Sequence, residues 1–352
     1  MAEATENFMW VDIDELIPGM KLAEDVENNF GGTLLPAKTI LDNNKIKRLS
    51  GLGIEEVKIV EESEAEIKKN AGKIEDLELA YRRNLNSVAE IFEKLKLTDE
   101  LAFPRIEKLV QKTMQLGKAL EPIDILTFVR ESDEYNYTHL LNVGILSNMF
   151  GRWLDFSERR LHALTTAGIL HDIGKTKIPD EILNKPDELT DEEYEVAKEH
   201  VEHSYELVND MEELSQETIW GIWTHHERFD GSGYPNGISG EEIPLLGRII
   251  GIVDVFDAVT SERIYKSAVS PFKAIRLFKE EDFKQFDQKL KSIFLDQIPG
   301  YFLKREVRLN DGRRAEIVFI NPRNPDRPIV KVDESMIDLY KEDNLAVEEI
   351  IE

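Results

Sequence analysis

His225-His226-Glu227-Arg228-Phe229-Asp230-Gly231-Ser232-Gly233-Tyr234-Pro235 sets two adjacent imidazoles directly before a glycine-rich turn. Upstream lies a second cluster, His171-Asp172-Ile173-Gly174-Lys175. Histidine is scarce, with seven in 352 residues, so a concentration of imidazoles beside carboxylates points to a metal site. Adjacent helical residues project about 100° apart. His225 and His226 can therefore share a site only where a helix ends, and the helix beginning near Glu217 runs straight into the Gly231–Gly237 loop.

Working outward, His171 and Asp172 close a helix read over Glu158–Ile173, with Gly174 as its C-cap. His139 lies on a helix beginning near Glu121, and His200 sits mid-helix between Asp191 and Asp210. Asp254 and Asp257, three apart, share one face of the apolar helix Arg248–Thr260, where a carboxylate is costly to bury unless paired or metal-bound. Five segments thus each offer a group that costs something to bury, and one metal cluster accounts for all of them.

The chemistry expected of such a cluster is that of a metal-dependent phosphohydrolase. A bridging carboxylate, Asp172, holds two cations about 3.5–4 Å apart and lowers the pKa of a water between them. Lys175 then meets phosphate charge or protonates the leaving alkoxide; the plainer reading is a helix-end lysine favoured by the dipole. Two features are set aside. Gly168 to Thr176 looks like a phosphate-binding loop but has one residue too many between its glycines. His162 should face away from the site, and His203 should lie at the surface or behind the ligands.

Composition bounds the rest. A chain of 352 residues suggests two or three units, and 41% apolar residues suffice for a sizeable core. A net charge of −26 argues against duplex nucleic acid or an anionic membrane as partner. With no cysteine, any metal must sit on histidine and carboxylate. The N-terminus lacks the features of a targeting segment and no long apolar run occurs, so a cytoplasmic location is expected.

The predicted fold is mainly α. Residues 1–62 read as a small α/β accessory unit, with a turn at Leu16–Met20, a hairpin into a strand at Gly31–Leu35, a short helix over Asp42–Leu52 and a strand over Glu56–Val60. Residues 63–119 read as a helical linker. Within 63–97, Ile74, Tyr81, Val88 and Leu95 recur every seven residues, with Leu85 and Phe92 at the other seam position. That spacing predicts a coiled-coil homodimer, and it fits equally a single amphipathic helix packed on its own domain. Residues 120–297 form the helical catalytic domain. Residues 298–352 form a small β appendage, turning at Asn310-Asp311-Gly312 and including Ile329–Val332, followed by an acidic tail.

His171-Asp172 with Asp254 resembles the HD superfamily of metal phosphohydrolases, and His225–Pro235 is similar to the extended signature of its HD-GYP subgroup. The resemblance covers about 120–297. It implies an all-helical domain carrying two or three metals, often iron or manganese, that hydrolyses cyclic di-GMP to pGpG or GMP. By motif position it implies His139, His171, Asp172, His200, His225, His226 and Asp254 as ligands, with Asp172 bridging. Asp172 and Lys175 are then the catalytic pair. Arg263 and Lys266, in Thr260–Lys266, are implied beside Lys175 as substrate contacts. Gly231, Gly233, Tyr234 and Pro235 shape the site and the contact with GGDEF-type cyclase domains, while Asp257 orients a neighbour. Three-metal members carry a glutamate four residues before the first histidine. Tyr135 holds that position here, with Glu134 one residue back, which points to two metals and an orienting role for Tyr135. Two further readings are a dinucleotide receptor, which the complete ligand set disfavours, and an enzyme for another cyclic dinucleotide such as 3′,3′-cyclic GMP-AMP.

Overall fold

The computed structural model describes residues 8–27, 33–35, 37, 39–41, 45–46, 49–50, 54, 56–122, 125, 135–185, 187–261, 270–279, 285–333, 335–342 and 344–351, without the side chains of 14, 27, 33–34, 64–65, 68–76 and 135–136. Two units are distinguished, Met1–Leu79 with Phe302–Glu352, and Ala80–Tyr301.

In the first unit, β1 (Phe8–Asp12) and β4 (Glu56–Val60) pair antiparallel with Val11 opposite Val57, and β2 (Val26–Glu27) pairs with β3 (Thr33–Leu35). The alternation anticipated in Glu56–Val60 is seen directly: Val57 and Ile59 turn into a core with Val11, Leu22, Leu41 and Leu49, while Glu56 faces solvent. The helix read over Asp42–Leu52 and the start of the Gly31–Leu35 hairpin lie largely outside the described residues.

The same unit holds a five-stranded antiparallel sheet of β5 (Glu306–Leu309), β6 (Arg314–Asn321), β7 (Asn324–Val332), β8 (Ser335–Asp338) and β9 (Val347–Ile350), ordered β8-β7-β6-β5-β9. The hairpin turns at Asn310–Gly312 as expected. The acidic tail is a correction: Val347 and Ile350 are buried and β9 pairs with β5, so the tail closes one edge of the sheet while its glutamates face outward.

The second unit is helical. From Ala80 onward it includes α1 (Glu64–Thr98), followed by α2 (Phe103–Ala119), α3 (Tyr135–Trp153), α4 (Glu158–Leu170), a 3-10 turn at Ile173–Lys177, α5 (Asp180–Leu183), α6 (Asp191–Lys198), α7 (His200–Val208), α8 (Gln216–Trp223), α9 (Leu245–Thr260), α10 (Pro271–Lys279) and α11 (Gln288–Gln297). Tyr81, Leu85, Val88, Phe92 and Leu95 are buried within the chain. Phe92 meets the Tyr137 ring of α3 edge-on at 6.2 Å. The seven-residue spacing therefore marks a helix packed on its own domain, and none of these five positions is left for a partner helix. The boundary anticipated at residue 120 moves for the same reason: α2 buries Ile106, Leu109, Val110 and Leu116 and packs on α3 and α4.

Two helix boundaries at the site differ from expectation. The helix starting at Glu158 ends at Leu170, and Asp172 leaves helical geometry at φ −103°, ψ 15°. Gly174 is no C-cap. A Cβ there would lie 2.0 Å from the His200 carbonyl oxygen and 2.4 Å from the Ser204 nitrogen, so glycine is required for α7 to approach this turn. The single helix read over Asp191–Asp210 is broken at Glu199, and His200 opens α7. The helix carrying His139 is described only from Tyr135; its expected start near Glu121 falls largely outside the described residues. Among the described residues no helix is long and apolar enough to cross a membrane.

Candidate metal centre

The seven expected ligands come from five separate helix ends or helix faces. The 3-10 turn after α4 presents Asp172, and Ser204 of α7 clips that turn in place. Its hydroxyl donates to the His171 carbonyl at 3.0 Å and accepts from the Gly174 N–H at 2.8 Å. This clip brings His200, one helical turn before Ser204, against Asp172. His225 and His226 follow the end of α8 at Trp223. The turn they occupy is held by Arg228, whose guanidinium donates to the His225 and Glu227 carbonyls and lies 5.0 Å from the Phe286 ring centre. Glu227 is buried and accepts the Asn236 N–H at 2.8 Å, tying the glycine-rich loop back to the same turn. At Gly233 a Cβ would meet the Arg228 nitrogen at 2.3 Å, so the loop can close on the imidazoles only without a side chain.

The seven anticipated ligands converge in two groups. Asp172, His200, His225 and His226 form one, and His139, His171 and Asp254 the other, with candidate ligand atoms in each within 4.8 Å of one another. Asp172 faces both. Its Oδ1 lies 3.1 Å from His200 Nε2 and 3.8 Å from His225 Nε2, and its Oδ2 lies 3.2 Å from His171 Nε2 and 3.8 Å from His139 Nε2. His139 Nε2 also lies 3.1 Å from Asp254 Oδ1.

Tautomers decide what these distances mean. His171, His200 and His225 each place Nδ1 at 2.6–2.8 Å from a main-chain carbonyl, of Gly168, Ala197 and Ile222 respectively. A carbonyl only accepts, so Nδ1 carries the hydrogen and a neutral ring presents a bare Nε2 lone pair. All three Nε2 atoms, and Asp172 Oδ1 between them, are buried without a hydrogen-bond partner. Buried polar atoms are ordinarily paired, and lone pairs facing a carboxylate oxygen repel one another. A cation among them turns that repulsion into coordination, so the donor set fits divalent metal on imidazole and carboxylate.

Protonation of the metal-free site differs between the two groups. Burial drives His225 down to about 3 and holds His226 well below its ordinary value. Burial also opposes charge on His139, yet hydrogen bonds to Asp254 and Asp257 outweigh it and raise its pKa to about 9. Burial works against ionised Asp172 as well, but the Lys175 ammonium keeps it well below the usual carboxylate range. Lys175 Nζ sits 2.5 Å from Asp172 Oδ2, and its side chain remains 43% exposed, reaching from the cluster toward solvent.

Asp257 is not in either ligand group. It accepts from His139 Nδ1 at 2.7 Å and from Asn142 Nδ2 at 2.9 Å. It thereby fixes the His139 tautomer with Nε2 toward the cluster, as an outer carboxylate does for a metal-bound imidazole. The Tyr234 ring stacks on His226 at 4.7 Å and forms one wall of the site. His162 pairs instead with Glu107 at 2.9 Å and His203 lies near Glu206 and Glu199, both outside the cluster as anticipated. Arg263, Lys266, Glu134 and the Tyr135 side chain lie outside the described residues. Sequence reading passed over Ser204, Arg228, Glu227 and Asn142. A signal existed for Asn142, an amide inside the apolar run Leu140–Leu146.

Comparison with known proteins gives an independent view. A family model described as HD domain matches residues 104–290. A cyclic di-GMP phosphodiesterase of Pseudomonas aeruginosa is 37% identical over 213 residues, covering 60% of this chain and 51% of that protein. A 3′3′-cGAMP-specific phosphodiesterase of Vibrio cholerae is 31% identical over 197 residues, covering 51% of this chain and 38% of that one. The chain spans about half or less of the length of these curated relatives. An HDG"Y"P protein from Bdellovibrio bacteriovorus shares the fold, with a TM-score of 0.52 at 16% identity over 82% of this chain and 99% of its own.

Proposed function

The chain belongs to the HD domain family, and on that premise we propose that it is a metal-dependent phosphodiesterase hydrolysing cyclic di-GMP to pGpG or GMP. The observation that carries the proposal is the set of bare, buried Nε2 lone pairs arranged around both oxygens of Asp172. We assign His139, His171, Asp172, His200, His225, His226 and Asp254 as the ligands of two divalent ions, iron or manganese. When bound, such ions supply Lewis acidity toward a phosphodiester and activate water near neutral pH.

The chain's own groups do the rest. Asp172, ionised by its cationic neighbours, presents one oxygen to each ligand group and holds them in register. Lys175 keeps one charge on Asp172 and offers its exposed ammonium to a phosphate oxygen or, as proton donor, to the departing alkoxide. In a chain of net charge −26, a dinucleotide needs local cations, a role assigned to Lys175 with Arg263 and Lys266. Tyr234, stacked on His226, supplies an aromatic face at the mouth, and the Gly231–Pro235 loop is the surface assigned to GGDEF-type partners.

The second reading, hydrolysis of 3′,3′-cyclic GMP-AMP, is favoured by the similarity to the Vibrio cholerae enzyme. One experiment separates the two. Protein loaded anaerobically with Fe²⁺ or Mn²⁺ is given cyclic di-GMP, 3′,3′-cyclic GMP-AMP and pGpG, and products are resolved by chromatography. The proposal expects kcat/KM for cyclic di-GMP at least about tenfold above that for the mixed dinucleotide, a gap of about 1.4 kcal/mol. The reverse preference establishes the second reading. Tight binding of cyclic di-GMP without turnover by metal-loaded protein would make the chain a receptor.

A further inference from the structure

The buried network around His139 does not stop at Asp257. Asn142 lies one helical turn along α3 from His139, and its amide donates to Asp257 Oδ1 at 2.9 Å. Its own oxygen accepts the Tyr81 hydroxyl of α1 at 2.7 Å. His139 Nδ1 gives its hydrogen to the other oxygen of Asp257 at 2.7 Å. Tyr81, Asn142 and Asp257 are each almost wholly buried, at 1%, 0% and 0% exposure. Three hydrogen bonds therefore connect a helix with no metal ligand to a proposed ligand of the metal centre.

Their polarity runs one way. Both Asp257 oxygens accept, one from His139 Nδ1 and one from the Asn142 amide, so Asn142 turns its NH₂ toward Asp257. The Asn142 oxygen is thereby forced toward α1, where the Tyr81 hydroxyl meets it. With the amide flipped, an oxygen would face a carboxylate oxygen and an NH₂ would face the phenol. The carboxylate thus selects the amide orientation, the Tyr81 hydrogen bond anchors the amide's oxygen end in place, and Asp257 fixes the ring through which His139 presents Nε2. Burial raises the Tyr81 hydroxyl far above its ordinary pKa, so it remains a donor throughout the working pH range.

We propose that Tyr81 is a positioning residue of the metal centre, acting through Asn142 and Asp257 on the aim of His139. Docking of α1 thereby sets metal affinity on the His139 side of Asp172. This rests on the metal-ligand reading above, and the test separates the two.

The full chain is stripped of metal and titrated with Mn²⁺ alone, free ion being followed by electron paramagnetic resonance. The variants are Tyr81→Phe, Asp257→Asn and the two combined, with thermal unfolding of each metal-free protein as the folding control. Losing an outer partner typically weakens metal binding about 10–100-fold, and Tyr81, two bonds further out, is expected at about tenfold. Only one of the two Mn²⁺ dissociation constants, that of the His139 side, should change in Tyr81→Phe. In the Asp257→Asn background the same substitution should add less than about twofold, because the route to His139 is already cut. Should phenylalanine at 81 unfold the chain, Asn142→Leu breaks the next link and must reproduce the tenfold loss. Wild-type affinity in the folded Tyr81→Phe or Asn142→Leu variant overturns the proposal, as does an undiminished tenfold loss in the double variant. If wild-type protein takes up no Mn²⁺, the metal-centre reading itself fails.

Discussion

On one side of Asp172, His200 and His225 give Nδ1–H to the carbonyls of Ala197 and Ile222; on the other, His139 gives it to the carboxylate of Asp257 and lies 3.1 Å from Asp254. His225 and His139 are the same residue type with opposite acid–base character. A carbonyl dipole fixes a ring without favouring its charged form, and burial then drives His225 to about 3. Ionised carboxylates favour the cation strongly enough to override burial and raise His139 to about 9. One side is therefore built by local main-chain turns, with His225 and His226 neutral. The other is a charge-balanced ligand built by side chains far apart in sequence.

The most disruptive change is one that removes the group common to both sides. Asp172→Ala should lower activity by more than the 10–100-fold typical of outer partners and abolish at least one metal by elemental analysis. Two metals per chain with near-normal turnover would contradict the shared role. Next comes Asp257→Asn, which touches one side alone. The His139 side should lose about 10–100-fold in affinity while the His200 side keeps its metal, so elemental analysis after dialysis should fall from two ions toward one. Equal loss from both sides would dissolve the distinction.

The smallest effect is a pH dependence of the metal-free protein. The folded pKa of His139 is raised above the ordinary value of about 6.5. Its contribution to stability is therefore complete below about 6.5 and is lost as pH rises through about 9. His225 has its folded pKa depressed, so its contribution is complete above about 6.5 and is lost as pH falls from there toward about 3. The unfolding midpoint of metal-free protein should thus peak near neutral pH and fall on both flanks. Asp257→Asn should flatten the alkaline flank and leave the acid flank in place.

The same division explains what could be read from sequence. The imidazoles held by main-chain turns were legible on both sides because their parts are adjacent in the chain: His225-His226 before the glycine loop, His171-Asp172 at a helix end. The ligand spacing of Asp254 and its partner Asp257 followed from one helical face. The rest depends on long-range pairing that leaves no local periodicity. Tyr81 was visible only as an apolar seam position, although its hydroxyl reaches Asn142, 61 residues away. Gly174 looked like a helix cap because the close approach of α7 has no sequence signature. The break at Glu199 escaped notice because no glycine or proline marks it. In the first unit, β9 was hidden by its glutamates, which occupy only the outward positions of an edge strand.

The central claim, that Asp172 joins two metal groups, is tested most directly by anomalous diffraction from crystals loaded with manganese or iron. Two peaks are predicted. One should be bonded to His200, His225, His226 and Asp172 Oδ1, and the other to His139, His171, Asp254 and Asp172 Oδ2. A single peak, or two peaks of which only one touches Asp172, would contradict it.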